Sequence, residues 1–203
     1  IPNDQIERYR KVFTAAGLAL TSVEIEGMSL ARALTVSGKE TTLVIDIGSR
    51  STSFSIATGG FLKFSGQTDF AGGSLTQTIA SGLGISPRRA EDLKKQRGLL
   101  GFGGEHELST LIEPLLDVII NEAKRVVAAY ENGYQDKVAA VMLAGGGANL
   151  LGIEAYVGKQ FNLPIKKANP FAPINYPTVI DPITKDTGPL MAVAIGLGIK
   201  GFL

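Results

Sequence analysis

The 203-residue sequence contains no cysteine and a single histidine, His106. Disulfide frameworks, thiolate metal sites and cysteine nucleophiles are therefore excluded, and one histidine cannot build a zinc cluster. Net charge is nearly absent as well, since 20 Lys+Arg face 19 Asp+Glu for a formal +1. Nothing in that total calls for nucleic acid or an anionic membrane as partner, so any bound anion must be held locally. Long apolar runs are also missing. The charge-free run over residues 138–153 has 16 residues, four of them glycine, short of the roughly 20 apolar residues of a membrane-spanning helix. Residues 1–14 carry five charges in an amphipathic pattern, not the basic-then-apolar order of a secretory signal. What is present is ordinary globular composition, 44% hydrophobic and 19% charged, which suits one compact domain with an appendage. Glycine is the exception. Its 25 copies include three doublets and one triplet, places where a backbone turns tightly or approaches something closely.

Spacing predicts a helix over 4–16 (Ile6, Tyr9, Val12, Ala16), capped by Asn3 or Asp4 and ended by Gly17. Leu18, Leu20, Val23 and Ile25 alternate as in a strand, and a short helix follows over 28–34. The polar stretch 35–40 marks a subdomain boundary. Three strands then succeed one another at 41–46, 52–58 and 61–70, giving two hairpins in series. Ser74 opens a helix that ends near Gly82, and Ser86-Pro87 opens another that Gly98 closes. A long helix runs from Leu108 to Tyr130, kinked or started by Pro114 and stopped at Gly133. Residues 137–144 form a strand of small apolar residues, followed by a glycine triplet and a helix from near Asn149. A short strand at 163–168 leads into a loop over 169–187, which carries four of the nine prolines, and Pro189 launches the last helix. Gly188, Ala192 and Gly196 give that helix one bare face, suited to backbone-to-backbone packing.

Three constellations carry chemistry. Asp46 stands at the end of a buried strand, before the turn Gly48-Ser49. Turn amides of Gly48 and Ser49 and the hydroxyls of Ser49, Ser51 and Thr52 can donate to phosphate oxygens, while Asp46 can hold Mg²⁺ directly or through water. The triplet Gly145-Gly146-Gly147, with Asn149 at the following helix start, lets a ligand approach bare backbone. It has neither a GK(S/T) ending nor the GxGxxG spacing of a dinucleotide fold. Residues 88–97 hold five basic and two acidic side chains, among which Glu91 and Lys94 are i, i+3 neighbours. They can offer an acceptor and a donor to a ribose or a base edge. Taken singly, each also fits a plainer reading: a hairpin turn, a tight turn, a solvated charged face.

Taken together they carry a resemblance. DIGSRST (46–52), the pair Gly72-Gly73 after a hairpin, AEDLKKQRG (90–98), LAGGGANL (143–150) and GPLMAVAIGLGIKG (188–201) stand in the order and spacing of the second half of actin-like ATPases. More narrowly, the chain resembles the PilM family of type IV pilus assembly proteins, and more distantly the FtsA cell-division proteins. The resemblance implies an α/β fold, an actin-like ATPase (ribonuclease H-like) half with a mixed sheet flanked by helices over 37–203. Residues 1–36 would be the end of the family's extra subdomain. DIGSRST looks like the second phosphate motif, LAGGGANL the adenosine motif, and the last helix the second connecting helix. ATP and Mg²⁺ are the implied ligands, with Asp46 on the metal and Glu91 and Lys94 in the adenosine-contacting positions. Gly48, Ser49, Ser51, Thr52, Gly72, Gly73, Gly145, Gly146, Gly147 and Asn149 complete the implied nucleotide set; no catalytic residue is assigned.

The family's role implies an ATP-binding scaffold on the cytoplasmic face of the inner membrane, held there by partners. Those partners are the cytoplasmic tail of a PilN-like inner-membrane protein and other pilus assembly proteins, and the chain could also form a homo-oligomer. Neither the DxG hairpin nor the connecting helix of a first half is evident before Asp46. The chain is therefore expected to be a C-terminal fragment, inactive alone and at most a weak ATPase when full-length, with the water-orienting residue in the absent half. An FtsA-like filament protein and a small-molecule kinase of the same superfold, with Asp69 or His106 as loose candidates for a base, remain the alternatives.

Overall fold

In the computed structural model, residues 1–100 and 106–202 are described. Five strands form one sheet. β1 (Thr42–Ile47), β2 (Thr52–Thr58), β3 (Phe61–Thr68), β4 (Ala140–Ala144) and β5 (Ile165–Lys167) lie in the order β3-β2-β1-β4-β5. β1, β2 and β3 are antiparallel neighbours, whereas β4 pairs parallel with β1 and with β5. The mixed sheet expected from the resemblance is therefore present. β1 is central and buried on both faces along its apolar run Leu43-Val44-Ile45. β3 alternates exposed and half-buried residues along one edge.

Helices cover the sheet on both sides. On one face, Leu43, Ile45, Ile47, Phe54 and Ile56 pack with Ile79 of α3 (Gly72–Leu83), Ile112, Leu116 and Ile119 of α5 (His106–Tyr134), and Val157 of α6 (Ile153–Phe161). On the other, Val44 and Ala144 meet Leu30 of α2 (Glu26–Thr35) and Ala192 of α7 (Asp181–Lys200). α4 (Pro87–Arg97) follows α3 and packs on it. Its Ser86 cap accepts from the Arg89 N–H at 3.3 Å, with Pro87 in the first turn, as the sequence predicts.

The predicted bare face of the last helix is used in full. A Cβ on Gly196 would lie 2.0 Å from the Ser29 carbonyl oxygen, so α2 and α7 cross backbone to backbone. Glu24 clamps the crossing. Its carboxylate takes two bonds from Arg32 (2.8 and 3.0 Å), one from Ser29 and an ion pair from Lys200, while Arg32 also reaches the Gly196 carbonyl at 2.7 Å. α2 thus shares the core of the sheet although it precedes the 35–40 boundary.

Four elements differ from expectation. Residues 18–25 form no strand, because alternation supplies a face but no neighbouring strand offers its hydrogen bonds. α5 runs through both Pro114 and Gly133, kept continuous by its buried stripe of Leu108, Ile112, Leu116, Ile119 and Ala123. The glycine triplet leads into a 3-10 turn, Gly146–Asn149, and α6 starts only at Ile153. α7 begins at Asp181, inside the predicted loop, with Pro182 in its first turn and Pro189 within it. The helix before the orphan stretch, α1 (Asn3–Ala15), buries no residue.

Candidate functional site

The turn after β1 is the base of the site. Gly48 N–H donates to the Ser51 carbonyl at 3.0 Å, closing the hairpin, and a Cβ on Gly48 would meet that oxygen at 2.9 Å. The start of α3 docks on this turn: the N–H groups of Gly72 and Gly73 donate to the carbonyls of Gly48 and Ser49, each at 2.9 Å. A Cβ on Gly73 would overlap the Ser49 oxygen at 2.7 Å, which is why this contact needs glycine. From the other side, the β4 turn closes over β1. Gly145 (φ +74°) has its Cα where a Cβ would meet the Asp46 carboxylate at 2.3 Å, and a Cβ on Gly147 would meet the Ile47 side chain at 2.4 Å.

Between these parts lies a cavity of about 490 Å³, large enough for much of a nucleotide. Gly48, Ser49, Gly72, Gly73, Glu91, Lys94, Gly146, Gly147 and Asn149 all line it, so nine of the thirteen predicted residues converge on one cleft. A smaller cavity of about 270 Å³ adjoins it at Gly48 and Ser49, lined also by Asp46 and Ser51. The remaining two stand aside. Thr52 is fully buried, its hydroxyl donating to the Phe70 carbonyl at 2.7 Å, so it braces the link into α3 and does not face a phosphate. Gly145 lines neither cavity; it lets the triplet approach Asp46, and its N–H is spent on the Pro189 carbonyl at 2.8 Å.

Within the cleft, several groups are already engaged. The amides of Gly48, Gly72 and Gly73 are taken by the protein itself, so these glycines shape the wall and do not donate from it. Glu91 and Lys94 form an ion pair at 2.7 Å, and Lys94 also donates to the Gly72 carbonyl and the Thr76 hydroxyl, each at 2.8 Å. Lys94 is thus not the spare donor the spacing suggested. Burial works against the Glu91 carboxylate, but bonds from Lys94 and Thr76 and the Lys94 charge outweigh it and hold the group at about 2. Asn149 Nδ2 spends one of its two N–H groups on the Asp186 carbonyl at 2.7 Å. Gly146 is open: nothing lies within 4 Å of where its Cβ would be.

The sequence did not reveal the rest of the wall. Glu26 and Ser53 line the smaller cavity with Asp46. Burial pushes the Asp46 carboxyl up to about 6, and the Glu26 charge adds to this. Ser53 Oγ is the buried side-chain oxygen without a partner among the described residues. Glu26 stands twenty positions from Asp46, and no local spacing signals that pairing. Leu75, Leu150 and Leu190 supply the apolar side of the main cleft, where sequence periodicity shows only core or surface leucines. His106 has its side chain outside the described residues, and Asp69 lies in neither cavity.

The family model for the type IV pilus assembly protein PilM matches residues 2–202. The chain belongs to the PilM family. Among solved structures, it is similar to a PilM-PilN type IV pilus biogenesis complex, with 21% identity, a TM-score of 0.83, and coverage of 97% of this chain and 57% of that one. MreB 5 of Spiroplasma citri bound to AMPPNP matches at 18% identity and TM-score 0.72, covering 98% of this chain and 64% of that one. The ethanolamine utilization protein EutJ of Carboxydothermus hydrogenoformans matches at 20% identity and TM-score 0.68, over 97% and 61%. At these identities the structures establish the actin-like fold of this PilM-family chain, which spans 57–64% of each of the three. Among the described residues no helix is long and apolar enough to cross a membrane.

Proposed function

We propose that this chain is the nucleotide-holding half of an ATP-binding pilus assembly scaffold, whose nucleotide state biases its grip on the cytoplasmic tail of a PilN-like inner-membrane protein. One observation carries the reading: motifs up to about a hundred residues apart, 48–49, 72–73, 91–94 and 146–149, meet on one cleft, with Asp46 on the smaller cavity that adjoins it. In this reading the apolar wall of Leu75, Leu150 and Leu190 takes the adenosine side, with Gly146 giving bare backbone to it. The Gly48–Ser49 turn takes the phosphates, with the Ser49 and Ser51 hydroxyls as donors.

A divalent cation fits beside that turn. Asp46 and Glu26 are hard oxygen donors on one small cavity, and Ser53 Oγ is a buried oxygen without a partner there, a donor set suited to Mg²⁺. When bound, Mg²⁺ neutralises phosphate charge. Asp46 and Glu26 are the groups that would hold it, with Gly145 keeping the Asp46 side close to the cleft.

Calorimetry with Mg-ATP tests this. The chain is expected to bind weakly, because it supplies one wall of the site, and Asp46→Ala is expected to abolish the Mg²⁺-dependent part. Absence of heat at high protein concentration, or Mg²⁺-dependent binding unchanged in Asp46→Ala, would refute the site. The coupling is tested separately, by titrating a PilN-like tail peptide with and without ATP; equal affinity in both would remove it. A PilM-family scaffold held to the inner membrane in this way acts from the cytoplasmic side.

A further inference from the structure

Lys94 is set up differently from a residue waiting for a ligand. An ammonium has three N–H groups and no acceptor, and here three protein oxygens receive them: Gly72 O at 2.8 Å, Thr76 Oγ1 at 2.8 Å and Glu91 Oε2 at 2.7 Å. The side chain is 12% exposed, against 34% for its partner Glu91. A direct bond to a bound molecule would have to break one of these. The Gly72 carbonyl it grips belongs to the same residue whose N–H donates to Gly48 O, and Gly73 N–H donates to Ser49 O beside it. At the other end of the link, Thr52 holds the Phe70 carbonyl. The two ends of the cleft are therefore joined by a short path: α4, Lys94, Gly72-Gly73, and the turn after β1.

We propose that Lys94 is a positioning residue that ties α4 to the Gly72-Gly73 link and so sets the distance between Glu91 and the Gly48–Ser49 turn. The consequence for ligands rests on the nucleotide reading above: a group recognised at Glu91 and a phosphate at the turn are held at one fixed separation. The strut itself does not rest on it and can be measured in the free protein. Thr76 makes the distinction possible, because its hydroxyl also accepts from Lys94 and donates to Glu91, yet Thr76 is not on the cleft wall.

Amide hydrogen exchange on the nucleotide-free chain tests the strut. Lys94→Met is expected to speed exchange at Gly72 and Gly73 by about tenfold, and Thr76→Val by a smaller factor. Arg88→Met, an exposed change on the same helix, is expected to leave both amides unchanged. Unaltered protection in Lys94→Met, or equal loss in Arg88→Met, would overturn the proposal; if Lys94→Met fails to fold, Thr76→Val carries the measurement. In ATP titrations, Lys94→Met and Thr76→Val should both weaken binding, with the double variant no weaker than Lys94→Met alone, since both act through one network. Thr76→Val binding ATP like the parent, beside a weakened Lys94→Met, would mean that Lys94 touches the ligand and that the proposal is wrong. A parent chain that binds no nucleotide defeats the nucleotide reading, and the exchange result still decides the strut.

Discussion

At the residue scale the three glycines of the triplet do different work, and substitutions separate them. Gly146 has free space at its Cβ, so Gly146→Val should fold normally and obstruct the cleft. Thermal denaturation should show an unchanged midpoint while ATP binding falls at least tenfold; retained affinity would make the triplet a turn only. Gly147→Ala should do the opposite first, losing about 1–3 kcal/mol of stability because its Cβ overlaps the Ile47 side chain. Asp46 gives a pH signature. Its folded value of about 6 lies above the ordinary aspartate range, with burial the main cause and Glu26 the second. The folded chain therefore keeps a proton that the unfolded chain gives up, so this group favours folding below about pH 4 and that contribution is lost as pH rises past 6. Asp46→Asn, which stays neutral, should match the parent near pH 4 and exceed it by roughly 3 kcal/mol at pH 8 in metal-free urea titrations. A pH-independent difference between the two would contradict the buried placement of this carboxyl.

At the scale of elements, the crossing of α2 and α7 decides how the cleft is framed, since Glu26 starts the first helix and Leu190 lies on the second. Gly196→Ala cannot be absorbed by a rotamer change, because the obstacle is the Ser29 backbone at 2.0 Å. It should cost about 2–3 kcal/mol in denaturant unfolding, whereas Gly198→Ala, with open space at its Cβ, should be neutral or mildly stabilising through helix propensity. Equal effects at the two positions would mean that the helices do not touch there. The spacing of Gly188, Ala192 and Gly196 announces such a crossing in the sequence, but not its partner. Which helix α7 meets is settled by the sheet that both cover. The same limit explains residues 18–25: alternation is a property of one strand, and pairing is a property of two.

For the whole molecule, the sheet and its helices form the stable body, and α1 stands outside it. With no buried residue in α1, limited proteolysis should cut within residues 1–17 before the helices and strands that pack on the sheet. Deleting residues 1–16 should shift the thermal midpoint by no more than a few degrees and leave ATP binding intact. A large loss on deletion would show that α1 contributes to the core.

The sequence by itself determined the local devices: the buried strand ending in Asp46, the glycine clusters, the capped start of α4 at Ser86-Pro87, and the small-residue face of α7. Each depends on neighbours within a few positions, so periodicity and turn chemistry report it directly. Tertiary structure alone decided which of these groups remain free to act. It gave Lys94 three protein partners, buried Thr52, set Glu26 beside Asp46 and left Gly146 open, because hydrogen-bond partners and steric room come from segments distant in the chain that only folding brings within reach.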